Sequence, residues 1–287
     1  MFSFQRFLYF SPFRKIFRKY KLNPVYPSFK QFRHDLLVTT FASVCGSAIG
    51  CLICHGYSNQ YHFSSSFVSG KLKFSVEFPN SSSTTPWSIQ TFLLAITMIH
   101  WRNIHFYAIH RLMHPWKISW LPKKLDIGHF LYKYVHSLHH KSYNPTAVSG
   151  TSMHPVEATL YYSAALMPFF NVALGTSSFL SANWIHPAIP LCVLVDCGLA
   201  AWLGHAGFDF PGTGDIYHQM HHACFDCNYG GSLVPFDYIF GTFASCKQDL
   251  KVIWRRKISN ISDRNDIGFD GNATPVHESS SAKDHIE

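Results

Sequence analysis

Apolar residues are not spread evenly along the chain; they gather into four stretches separated by polar, histidine-rich sequence. From Leu36 to Cys54 nineteen residues carry no charge, a run of about 28 Å as a helix at roughly 1.5 Å per residue, which matches a bilayer core. Ser88–Ile109 starts apolar and ends His100-Trp101-Arg102-Asn103-Ile104-His105. It reads as a second helix that leaves the membrane at its C-terminal end, where Arg102 can snorkel. Val156–Leu174 and Ala188–Leu203 are two further apolar segments. The short link Gly175–Trp184 predicts a helical hairpin there, with Trp184 suited to an interfacial belt.

The intervening stretches are polar in different ways. Residues 1–35 mix Phe and Tyr with Arg and Lys and lack the small-residue cleavage site of a signal peptide. His55–Pro86 is Ser-rich and turn-forming, so it is expected to be an exposed loop. Residues 110–150 are basic, through Lys117, Lys123, Lys124, Lys133 and Lys141, and belong in water. The pattern predicts an all-α integral membrane protein with about four membrane segments and a cytosolic histidine-rich cap. Its parts are a basic N-terminal segment at 1–35, two membrane segments with a lumenal loop at 36–103, a catalytic region at 104–250 and a polar, disordered tail at 251–287. The Lys and Arg bias puts the N-terminus and the cap in the cytosol. The sequon at Asn80 is then lumenal, and those at Asn260 and Asn272 are cytosolic.

Composition sharpens this picture in one respect. The chain has 24 Lys and Arg against 16 Asp and Glu, yet its 19 histidines outnumber all the carboxylates. That excess points to metal before nucleic acid. Glutamate occurs only at positions 77, 157, 278 and 287, too few for a ferritin-like carboxylate bundle. The eight cysteines mostly lie in apolar stretches and read as small buried hydrophobes rather than a secreted disulfide framework.

The histidines fall into three motifs: His110-Arg-Leu-Met-His114, His136-Ser-Leu-His139-His140 and His218-Gln-Met-His221-His222. On a helix, positions i, i+3 and i+4 share a face, so each motif aims two or three imidazoles at one place. Eight such groups held close repel when protonated and are costly to bury unless something binds them. They exceed the four ligands of one tetrahedral ion, which favours two metals. Imidazole suits iron, zinc, copper and nickel alike. The motifs follow membrane helices, so the metals sit near the interface, within reach of a lipid chain.

From about Ile104 to Phe243 the chain resembles the fatty acid hydroxylase and sterol desaturase superfamily of membrane di-iron enzymes. HRLMH, LYKYVHSLHHKSYNP, SGTSMHPVE, HQMHH followed by Asn228-Tyr229-Gly230, and the run Asp237–Thr242 carry the resemblance. It implies an O2-dependent lipid hydroxylase or desaturase in the endoplasmic reticulum membrane, with two irons held by His110, His114, His136, His139, His140, His218, His221 and His222. His205 corresponds to an extra histidine between the second and third motifs, and His154 is a further candidate. A capping role, or support from Glu157, is the alternative for His154. The 21 residues between His114 and His136 are more than the family pattern leads one to expect.

Two other features stay open at this level. Cys224-Phe-Asp-Cys227 has the spacing of half a zinc knuckle but lacks a second pair nearby, and Asp196 is an ionisable group inside an apolar segment. The sequence contains neither a GxGxxG dinucleotide fingerprint nor an HPGG haem segment. Electrons must therefore come from outside, and the resemblance implies cytochrome b5 and its reductase. The rival reading is a histidine-rich membrane metal transporter or an inactive relative of the family. Transport sites, however, usually lie near the midplane of several spans.

Overall fold

The computed structural model describes residues 9, 12, 14–23, 26–58, 62–68, 71–77, 89–142, 144–166, 188–209, 215–231 and 235–244. Gly175–Trp184, the three sequons and the C-terminal tail lie outside the described residues. The protein is mostly helical. Its helices are α1 (Arg14–Phe17), α2 (Phe29–Ser58), α3 (Ile89–Leu112), α4 (Ile127–Leu131), α5 (Ser137–His140), α6 (Pro155–Tyr162), α7 (Ala188–Gly204), α8 (Asp215–Cys224) and α9 (Phe236–Ile239). The π-helical segment Tyr132–His136 joins α4 to α5.

Inside the stretch expected to be a loop, His62–Val68 (β1) and Lys71–Glu77 (β2) form an antiparallel hairpin, with His62 opposite Glu77 and Val68 opposite Lys71. The alternation Lys71-Leu72-Lys73-Phe74-Ser75-Val76-Glu77 has the period of two that a strand requires. Serine content masks that period when the stretch is read by composition.

The longest helix, α2, starts at Ser28, whose Oγ accepts from the Gln31 amide at 3.1 Å and so satisfies one of the free donors of the first turn. Its buried residues Gln31, Asp35, Thr39, Ala42, Ile49 and Ile53 recur at helical spacing. The polar members come first. Asp35 accepts from Ser142 Oγ at 2.7 Å, and Thr39 Oγ1 donates to the Val148 carbonyl at 2.7 Å. The opposite face is apolar and exposed, with Leu37, Phe41, Val44 and Leu52 each more than half accessible. Such a stripe does not face water comfortably. Phe29–His55 is the one helix among the described residues that is long and apolar enough to cross a membrane.

Helices α2, α3, α6 and α7 share one core, built around Ala42, Met98, Ala158, Tyr161, Val193 and Cys197. On α7 the buried positions Ile189, Val193, Cys197 and Ala201 are each four residues apart, and the Tyr161 hydroxyl ties this face to α6 by donating to the Cys197 carbonyl at 2.8 Å. Gly150 lies so close to the Ala201 carbonyl that a Cβ has no room. Gly128, at the start of α4, meets the His114 carbonyl in the same way. Two close approaches of backbone to backbone therefore set the ends of α3 and α7 beside the second histidine motif. Cys197 and Cys227 are buried as expected, but Cys51, Cys54 and Cys192 are exposed. They lie on outward helix faces, which here are apolar.

Candidate metal centre

Each motif sits where a helix ends or changes pitch. His110 is in the last turn of α3 and His114 just beyond it. His136 closes the π-helical segment, and His139 and His140 follow on α5. His205 follows α7, and His218, His221 and His222 lie on α8. A wide helical turn of the π type is frequent at functional sites. It rotates His136 relative to its neighbours.

Nine of the ten candidate histidines converge, in two groups. His110, His114, His136, His140 and His221 form one; His139, His205, His218 and His222 form the other, and within each group the nitrogen atoms lie within 4.8 Å of one another. The motifs are not assigned one to a group. His136 and His140 share a face at i, i+4, whereas His139 points about 100° away from His140 and joins the other group. On α8 the arrangement is mirrored, because His218 and His222 pair while His221 crosses over. The long link between His114 and His136 does not prevent this. It folds back through Gly128, and His110 Nε2 lies 3.1 Å from His136 Nε2.

The tenth candidate does not join them. His154 caps α6, where its Nδ1 accepts from the Val156 amide at 3.2 Å ahead of Pro155 at the first helical position. Glu157 supports a different imidazole from the one suggested by sequence proximity: its Oε1 is 2.8 Å from Nδ1 of His136. Arg102 does not snorkel. It is buried, and its Nε donates to Asp196 Oδ2 at 2.7 Å.

Hydrogen bonding on the far side of the rings reveals what the near side needs. Nδ1 of His110 donates to the Tyr229 carbonyl at 2.6 Å, His205 to Ala201 at 2.6 Å, His221 to Cys227 at 2.7 Å and His139 to Ser152 at 3.3 Å. A carbonyl can only accept, so these rings carry their proton on Nδ1 and present a bare lone pair at Nε2. The 3.1 Å approach of His110 to His136 and the 3.2 Å approach of His205 to His139 are lone pair against lone pair. They are not hydrogen bonds. Two imidazoles on one ion at about 2.1 Å, at right angles, stand about 3 Å apart, so the residues present fit metal ions in both groups. His218 Nε2 is buried with no hydrogen-bond partner among the described residues, which suits the same role.

Burial keeps the rings neutral and ready to bind. It lowers His136 to about 3 and His139 to about 4, and it lowers His140, His218, His221 and His222 with help from the neighbouring imidazoles. The contact of His136 with Glu157 is therefore a neutral N–H donating to a carboxyl oxygen, not an ion pair, because burial also pushes Glu157 up to about 8.

Sequence reasoning assigned no role to Asp237. This fully buried carboxylate accepts from the Tyr229 and Gly230 amides at 2.8 Å each and from the Tyr217 and Thr242 hydroxyls at 2.6 Å each. It fixes the turn whose Tyr229 carbonyl orients His110. The resemblance had marked the Asp237–Thr242 run as a segment, and only the fold pairs it with Tyr229. Cys227 likewise acts through its backbone, as acceptor for His221, rather than as half of a zinc knuckle.

Beside the imidazoles lies a cavity of about 340 Å³. Its walls include Phe106, Ile109, Met153, Leu199 and Leu203, and it touches His110, His136, His139, His205 and His218. A pocket of this size and lining takes an apolar molecule.

A methylsterol monooxygenase of Aspergillus fumigatus, erg25A, is 28% identical over 196 residues, covering 60% of this chain and 52% of the relative. The Delta(7)-sterol-C5(6)-desaturase of Nicotiana tabacum is 28% identical over 159 residues, covering 51% and 53%. The very-long-chain aldehyde decarbonylase GL1-6 of Oryza sativa is 26% identical over 187 residues, covering 59% of this chain and 26% of the relative. The chain spans about half the length of the curated sterol-enzyme relatives it matches, and no solved structure matches it. The family model described as fatty acid hydroxylase matches residues 95–242, about half of the chain and the whole span from His110 to His222; the chain belongs to the fatty acid hydroxylase family.

Proposed function

We propose that this protein is a membrane-bound, O2-dependent di-iron oxidoreductase that hydroxylates or desaturates a lipid. The observation that carries the reading is the meeting of nine buried, neutral imidazoles, eight of them with Nε2 atoms 3.0–3.3 Å from another's, with an apolar cavity. Two irons bound there supply reductive activation of O2 and removal of hydrogen from an unactivated lipid carbon.

The chain's own residues do the rest. His110, His114, His136, His140 and His221 hold one ion, and His139, His205, His218 and His222 the other. Glu157 and the Tyr229, Cys227, Ala201 and Ser152 carbonyls fix the tautomers that leave Nε2 free. Phe106, Ile109, Leu199 and Leu203 exclude water and align an apolar substrate beside the ligands. The family supports a lipid-modifying oxidoreductase, and the relatives' names span monooxygenase, desaturase and decarbonylase.

The apolar outer faces of α2, α3 and α7, exposed at Phe41, Ile96, Ile99 and Val195 among others, support three of four membrane segments, with Val156–Leu174 as the fourth; the Lys and Arg bias supports an endoplasmic reticulum topology with the histidine cap in the cytosol. Electrons come from cytochrome b5 and its reductase. The exposed side chains of Lys123, Lys124, Lys133 and Lys141 supply positive charge for an acidic donor to steer by.

The test is direct. Purified protein is expected to contain about two irons per chain and to consume O2 with a reductant and a lipid extract. A preparation carrying zinc alone, or one inert to O2 when loaded with iron, overturns the reading. For orientation, a glycan on Asn80 and none on Asn260 or Asn272 is expected in a eukaryotic host; a glycan on Asn272 overturns the cytosolic site.

A further inference from the structure

The cavity has a second polar end. Arg102 is 8% exposed, in the middle of α3. It uses only Nε on Asp196, at 2.7 Å, so its two terminal amino groups have no protein partner among the described residues, and it lines the cavity. Asp196, across the gap on α7, is half-buried and lines the same space. Asn103, the next residue of α3, also lines the cavity, but its amide nitrogen donates to the Ile99 carbonyl at 2.9 Å and its side-chain oxygen lies against Gly231. Arg102 precedes His110 by eight residues and Asp196 precedes the end of α7 at Gly204 by eight, about 12 Å of helix on both walls. The wall between is apolar, through Phe106, Ile109, Leu199 and Leu203.

An ion pair inside an apolar segment is costly unless it does something. This one offers guanidinium donors and a carboxylate acceptor side by side, at no net charge. A hydroxyl, which both donates and accepts, satisfies both. A carboxylate or phosphate adds a negative charge beside Asp196 and satisfies only one. We infer that Arg102 and Asp196 form a binding subsite for the hydroxyl group of a lipid alcohol, which selects the substrate and sets which carbon reaches the imidazoles. The inference rests on the lipid-oxidation reading for its purpose. It fixes a ruler: the oxidised carbon lies about 12 Å from the hydroxyl, and a carbon next to the hydroxyl stays at Arg102, out of reach.

Equilibrium binding tests the subsite without turnover. Purified protein in nanodiscs is titrated with tritiated cholesterol, and competition is measured with hexadecan-1-ol, with the methyl ethers of both alcohols and with palmitate. Losing a hydrogen bond to a charged group predicts that each ether competes roughly tenfold or more less well than its alcohol, and palmitate less well than hexadecan-1-ol. In Asp196→Leu, which removes the acceptor for the O–H that the ether lacks, the alcohol and ether become equivalent within about twofold, with metal content unchanged. The charge-swapped double variant Arg102→Asp with Asp196→Arg keeps a pair between α3 and α7. If the pair merely braces the helices, Asp196→Leu lowers the melting midpoint but keeps the alcohol preference and the swap restores the midpoint, and the subsite is overturned. It is also overturned by equal competition from alcohol and ether in the unmodified protein, a comparison that needs no variant to fold, and by tighter binding of palmitate. Products carrying their new oxygen or double bond next to the hydroxyl overturn the ruler. Alcohol preference in a protein inert to O2 upholds the subsite while removing the oxidation reading.

Discussion

The five-imidazole group and the four-imidazole group come from the same motifs but have different surroundings. In the larger group, His110, His136 and His221 are braced from behind by the Tyr229 carbonyl, Glu157 and the Cys227 carbonyl, and Tyr132 and Tyr229 pack against His114 at ring-centroid distances of 5.2 and 4.9 Å. In the smaller group, His139, His205 and His218 all line the cavity, whereas the larger group shows it only His110 and His136. The group with fewer imidazoles thus has the greater share of its ligands at the apolar space. A metal with open positions is the one that can carry chemistry, and a fully surrounded one is held for its charge and geometry. The comparison predicts unequal consequences for equivalent substitutions.

The largest effect is expected at the ligands. His222→Ala removes one of four imidazoles and is expected to lower bound iron from about two to about one and to abolish turnover. His140→Ala leaves four in its group, so iron is retained better although turnover still falls. Metal analysis alongside O2 consumption separates the two. Equal loss of iron in both variants breaks the asymmetry, and full activity in either removes the ligand assignment.

Next comes pH. Burial holds His136 at about 3 and His139 at about 4 in the fold, against about 6.5 in the unfolded chain. Between those values the unfolded state binds more protons, so stability rises with pH. It is fully present above about pH 6.5 and lost progressively as pH falls through 4 towards 3. Denaturant titrations of metal-stripped protein at pH 7.5 and pH 5 are expected to show the lower midpoint at pH 5; an unchanged midpoint means the rings are not buried neutral.

A smaller change is expected when a brace rather than a ligand is removed. Glu157→Ala frees the His136 ring and is expected to weaken iron retention roughly 10–100-fold in chelator competition. Glu157→Gln keeps an acceptor for His136 Nδ1 and is expected to recover part of this. If the two variants are equally impaired, charge rather than orientation is what Glu157 supplies. The smallest effect belongs to His154. His154→Ala removes a helix cap and is expected to cost about 1 kcal/mol of stability with iron content unchanged. Loss of iron there would return His154 to the ligand set.

The histidine motifs, their helical setting and the apolar segments that precede them are all legible in the sequence, because 100° per residue and the cost of burying bare imidazoles are local rules. The family resemblance rested on those same residues. The hairpin at His62–Glu77 was hidden because its serines resemble a loop by composition, while its alternation is that of a strand.

What the sequence could not decide is which faces meet. Local spacing keeps His136 and His140 together and sends His139 elsewhere, but the division into five and four needs α8 to pack against α5 in one register. Glu157 is 21 residues from the imidazole it braces, and Tyr229 is 119 residues from His110. Arg102 and Asp196 are 94 apart, and each alone reads as an anomaly in an apolar helix. The close approaches of Gly128 to His114 and of Gly150 to Ala201 are likewise between distant segments. Contact between distant segments depends on how whole helices pack, so the chain's own order fixes the kinds of ligand while the tertiary structure fixes their partners.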